Sequence, residues 1–108
     1  INVNKGGAIM PNYKDIILKF VEGETDGVSS GQGNLRIRGQ VLYHYTTPIL
    51  ERMDKKYILN NTRYSIVTGK LQKQIKESIP EEELIIVTKV AEGYKGSLQD
   101  YLNTEKSK

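Results

Sequence analysis

The chain has 108 residues, 16 of them Lys or Arg and 13 Asp or Glu, with one histidine and no cysteine. That length suits a single domain that buries a core without covalent staples, and the lack of thiols excludes a disulfide framework or a thiolate metal site. A formal net charge of +3 permits a nucleic-acid partner without demanding one, because dedicated binders carry a basic run or stripe and the longest basic run here is Lys55-Lys56.

Residues 1–11 read as a flexible N-terminal arm or a tag remnant, with Met10 as a candidate natural start. From Asn12 to Glu22 the apolar side chains Tyr13, Ile16, Ile17, Phe20 and Val21 recur at helical spacing, and Lys14, Asp15, Lys19 and Glu22 take the other face. Asn12 with Asp15 forms a capping-box pattern and Gly23 is placed to end the helix. The glycine- and serine-rich stretch from Glu24 to Asn34 reads as a loop.

At Leu35 the period changes to two. Leu35–Ile37 and Val41–Tyr45 flank Arg38-Gly39-Gln40 as one hairpin. Pro48 biases Thr47 to an extended conformation. Ile49–Met53 and Tyr57–Asn60 flank Asp54-Lys55-Lys56 as a second hairpin, and Arg63–Val67 follows as a short strand. Thr68 is the expected N-cap of a helix reaching Ser78. Leu71, Ile75 and Ile79 line one side of that helix, Lys70, Lys73 and Lys76 the other, and Pro80 stops it. Glu81–Glu83 reads as a solvated link, Leu84–Val90 as a central buried strand, and Ser97 as the cap of a short helix with Leu98, Tyr101 and Leu102 inward. Residues 12–102 therefore form one α+β domain: a small antiparallel sheet of hairpins, an N-terminal helix and one or two further helices packed on it. Residues 103–108 read as a frayed tail.

Reaction chemistry is sparse. His44 lies in an alternating strand run between Tyr43 and Tyr45 and has neither a second histidine nor a thiol to share a metal, so it reads as an ordinary strand histidine. Gly31-Gln32-Gly33 lacks the third glycine and the strand–turn–helix order of a dinucleotide loop, and Gly69-Lys70 is followed by Leu71 where a phosphate loop needs Ser or Thr. Gly69-Lys70 at a helix start still offers backbone N–H groups and a charge to a phosphate. Three consecutive glutamates, Glu81–Glu83, diverge in direction and do not make a working carboxylate pair. Asn60-Asn61-Thr62 matches a glycosylation triplet but stands without a secretory signal. No catalytic residue, metal or cofactor is expected.

What remains is a binding surface. Arg36 and Arg38 alternate on one side of a strand and face solvent together when Leu35 and Ile37 face the core. Tyr43, Tyr45, Tyr57 and Tyr64 are spread along the neighbouring segments. Arginines supply phosphate contacts and tyrosines stacking platforms, as in single-strand binders, and the same residue types serve protein-binding hot spots. Arg36, Arg38, Tyr43, Tyr45, Arg63, Lys70 and Lys73 are the candidate nucleic-acid-binding residues. No apolar run approaches the ~18 residues needed to span a bilayer, so no membrane partner and a cytoplasmic setting are expected.

Three blocks carry a resemblance: Tyr13-Lys-Asp-Ile-Ile with Phe20-Val-Glu-Gly-Glu; Asn34-Leu35-x-Ile37-x-Gly39-x-x-Leu42-Tyr43-x-Tyr45-x-Thr47-x-Ile49; and Asn60-x-Thr62-x-Tyr64-Ser65-x-x-Thr68-x-Lys70-x-Gln72. Together they resemble a group of small phage, plasmid and archaeal-virus proteins that make up a domain of unknown function. The family pattern has Ser where His44 stands and Ser-Lys-His-Gln where this chain has Gly69-Lys70-Leu71-Gln72. The resemblance implies an accessory protein of a mobile genetic element and supplies no activity. The leading expectation is thus a non-catalytic, low-specificity nucleic-acid binder; the alternative is a module that inhibits or modulates a host protein such as a defence factor.

Overall fold

The computed structural model describes residues 12–29 and 33–106. The expectation for residues 1–11 lies outside them, as do the last two residues of the expected tail. Helix α1 (Tyr13–Val21) begins with the expected capping box: Asn12 accepts from the Asp15 amide at 2.9 Å, and Asp15 accepts from the Asn12 amide at 3.1 Å. Six strands follow, β1 (Asp26–Val28), β2 (Leu35–Arg38), β3 (Val41–His44), β4 (Thr47–Met53), β5 (Lys56–Asn60) and, after α2 (Ile66–Ser78), β6 (Leu84–Val87); α3 (Leu98–Lys106) ends the described chain. The strands lie side by side in sequence order in one open sheet. All pairs are antiparallel except β5–β6, which is parallel because α2 carries the chain back across the sheet. The molecule is an α+β fold.

Both faces of the sheet are used, to different extents. On the first face, Leu35, Ile37, Leu42, Leu50 and Leu59 pack against Ile16, Ile17 and Phe20 of α1 and Leu71 and Ile75 of α2. On the second face, a smaller cluster of Ile58, Val87 and Val90 receives Leu98 of α3. The pairing register between β3 and β4 skips one residue, passing from Leu42↔Leu50 to Tyr43↔Pro48. Ile49 is the extra residue, and this bulge lets Ile49 and Leu50 both join the first-face core.

Five expectations need correction. The glycine-rich segment is not all loop: β1 pairs with β2 there, and Gly27 is where it passes beneath the helix, since a Cβ on it would meet Ile37 Cδ1 at 3.3 Å and Lys19 Cε at 3.6 Å. Arg63–Val67 is not a strand. The cap of α2 is Ser65, whose Oγ accepts from the Thr68 amide at 3.1 Å and bonds the Thr68 hydroxyl at 3.0 Å, so Thr68 completes the cap from inside the first turn. Leu84–Val90 is neither central nor wholly buried: β6 is the sheet edge, and Ile86 is exposed. Its apolar run arises because Leu84 meets the first-face core and Ile85 the second. The chain does not fray at Asn103; α3 continues to Lys106.

Candidate nucleic-acid interface

Alternation along β2 buries Leu35 and Ile37 and leaves Arg36 and Arg38 exposed on the second face. The register sets Arg36 opposite Tyr43 and Val28, and Arg38 opposite Val41 and Asp26, so these side chains share that face. Helix α3 covers only the β4–β6 half of it. The helix is anchored by Glu51, a buried carboxylate on β4 that accepts from the amides of Leu98 at 2.7 Å and Gln99 at 3.3 Å. A carboxylate on otherwise unpaired N-terminal amides is a favourable charge–dipole arrangement. Ser97 adds the expected cap, its Oγ accepting from the Asp100 amide at 2.9 Å.

The segment leading into α3 forms the rim of the uncovered half. The Gly93 amide donates to Thr47 Oγ1 at 2.8 Å, which fixes the loop to the sheet. Tyr94 then lies across Gly96: a Cβ at position 96 would stand 2.6 Å from the Tyr94 hydroxyl, so a larger residue there would displace that ring. Tyr101 supports Tyr94 edge-on, with ring centroids 5.6 Å apart. Between rim and sheet lies an open cleft of about 560 Å³, lined by Arg36, Arg38 and Lys95 together with Tyr43, Tyr45 and Tyr94. Tyr94 and Lys95 were not among the sequence-expected residues; their signal was a Tyr-Lys pair between the two glycines of a loop.

Tyr45 is the unusual residue. It opens the two-residue turn between β3 and β4 with φ of 59°, where the corresponding first residues of the neighbouring turns are Gly39 at 65° and Asp54 at 54°. Such turns demand a positive φ, which costs a bulky L-residue about 1–2 kcal/mol. Tyr45 is 64% exposed despite that cost. It meets the His44 ring edge-on at 4.7 Å between centroids, and His44 in turn bonds the Tyr13 hydroxyl through Nε2 at 3.1 Å.

Burial holds the His44 imidazole below its ordinary value. The Tyr13 phenol is pushed up by burial, against a lowering hydrogen bond from Asn34 and with a smaller upward contribution from Tyr45. Both displacements favour an uncharged Tyr13–His44 pair. The Nε2 partner of His44 is therefore a phenol rather than a carboxylate, which suits a structural prop. On the far side of Tyr45 and Thr46 lies a second cleft of about 320 Å³, lined by His44, Tyr64, Ser65, Thr68 and Glu92.

The remaining expected residues lie elsewhere. Arg63, Lys70 and Lys73 share a groove on the outside of α2 with Lys76 and the exposed Ile66. Gly69 seats the Arg63 side chain there, since a Cβ would meet its Nε at 3.0 Å and Cζ at 3.1 Å. That groove shares no residue with the sheet cleft, so the expected set divides into two surfaces. Tyr57 packs beside Phe20 at 6.2 Å between ring centroids, and the Tyr64 hydroxyl accepts from Asn60 Nδ2 at 3.0 Å and donates to the Val90 carbonyl; both are structural. Arg52 is structural too: it lies 4.0 Å over the Phe20 ring and donates to the carbonyls of Phe20, Gly39 and Glu24. Among the described residues no cluster of three or more His, Asp or Glu could hold a metal, and no helix is long and apolar enough to cross a membrane. Comparison with protein-family models, with curated proteins and with solved structures finds no match to this chain.

Proposed function

We propose that this chain is a non-catalytic accessory protein of a phage or other mobile genetic element, binding nucleic acid with low sequence specificity through the uncovered half of its sheet. The observation that carries this reading is the single cleft in which Arg36, Arg38 and Lys95 stand among Tyr43, Tyr45 and Tyr94, with no acidic side chain in its lining. Cations neutralise phosphates without regard to sequence, and tyrosine rings accept any base face. The likeness of residues 13–72 to small mobile-element proteins supports the biological setting.

The test is fluorescence anisotropy with short DNA and RNA oligonucleotides across a salt series. Three phosphate contacts predict a slope of log affinity against log salt of about −2 for single strands, at about −0.7 per contact. Removing two of them in Arg36→Ala/Arg38→Ala should flatten the slope by about 1.4. A complete lack of binding at low salt rejects the reading and leaves the same surface to a protein partner, since Tyr and Arg are also the enriched residues of interface cores.

A further inference from the structure

Tyr45 and Thr46 form a wall common to two clefts of opposite electrical character. The larger is lined by Arg36, Arg38 and Lys95 and by no acid; the smaller carries Glu92 and the hydroxyls of Tyr64, Ser65 and Thr68. A phosphate is drawn to the first and repelled from the second. The Tyr64, Ser65 and Thr68 hydroxyls are already bonded within the fold, so the exposed Glu92 carboxylate is the group that matches the edge of a nucleobase, accepting from its exocyclic amine.

The ring on the wall is prepared for a flat ligand. Tyr45 holds a positive φ that a glycine or asparagine would adopt more cheaply, yet presents most of its surface to solvent. Its orientation is fixed from below by His44, edge-on at 4.7 Å, and its amide donates to the Asn34 carbonyl at 2.7 Å. His44 is buried and tied to Tyr13. Strain retained at an exposed, propped aromatic is understandable where the ring itself is used.

Building on the nucleic-acid reading above, we propose that the site selects single strands over duplex. One unpaired base stacks on Tyr45 with its edge in the His44–Glu92 cleft, while flanking phosphates lie along Arg36, Arg38 and Lys95. Paired bases in a duplex have both faces covered and cannot reach the ring, so a duplex engages only the cations.

The test compares anisotropy titrations of one short labelled strand, alone and annealed to its complement, at matched low salt. The single strand should bind the wild-type protein about tenfold more tightly, the stacking of one base being sufficient for that ratio. Tyr45→Asn, which suits the positive φ and should unfold at no lower temperature than wild type, should lose about that tenfold for the single strand and little for the duplex. Tyr45→Phe should keep the preference. Equal affinity for both forms, or a preference that survives in Tyr45→Asn, overturns the inference while the nucleic-acid reading stands. Absence of binding to either form overturns both.

Discussion

His44 and Tyr13 show how one buried contact sets a window of stability in pH. The folded histidine has a lowered pKa, so the folded state takes up a proton less readily than the unfolded chain. The consequence is a loss of stability as pH falls below about 6.5, the ordinary histidine value, levelling off once the folded imidazole is also protonated. The raised Tyr13 value acts at the other end: above about pH 10 the unfolded phenol ionises while the folded one stays protonated, so stability is lost as pH rises. Urea titrations at a series of pH values should show both limbs, and His44→Gln should flatten the limb nearest neutrality, where carboxylates no longer titrate. An unchanged limb in that variant would show the histidine is not responsible. The same scale shows a limit of sequence reading. Arg36, Arg38 and Arg52 are alike on paper, but Arg52 is consumed by the carbonyls of Phe20, Gly39 and Glu24. Strand alternation separated the first two from the core and carried no hint of the third one's partners.

The helices and strands divide in the same way between what periodicity reveals and what only packing decides. Period-two runs gave β2–β5, and helical spacing gave α1, α2 and the inward face of α3. β1 escaped notice because a three-residue edge strand contributes backbone pairing and almost no apolar pattern. The strain at Tyr45 escaped notice because turn residues are usually read by composition, and tyrosine is not a turn residue. Nor did any local signal pair Glu51 with the start of α3, 47 residues away. That carboxylate gives the element-level prediction. Glu51→Gln keeps the volume but replaces a charged acceptor of two amides, and should cost about 1–3 kcal/mol. Hydrogen exchange should locate the loss, with amides of Leu98–Lys106 exchanging faster and those of β2 and β3 little changed. A uniform increase across the sheet would mean that Glu51 supports the core as a whole instead of holding α3.

For the molecule as a whole, the decisive property is that two helices cover most of one face of the sheet, leaving Ile86 at its edge exposed, and a single helix covers half of the other. The candidate cleft is the uncovered remainder, so its basic and aromatic side chains on β2 and β3 were legible from alternation, while its rim, Tyr94 and Lys95, depended on where α3 came to rest. The strand order has a further, temporal consequence. β1 to β4 each pair antiparallel with the next strand in the chain through a short connection, so their loops close cheaply and early. The return of the chain from α3 to β4 is a long-range event. Ile37→Val should therefore slow refolding, whereas Leu98→Ala should chiefly hasten unfolding. Stopped-flow measurement of both rates distinguishes this order, and a slowed refolding rate in Leu98→Ala would reverse it. On that timetable the rim closes last, and a chain emerging from synthesis completes the candidate cleft only once the residues of α3 have been made.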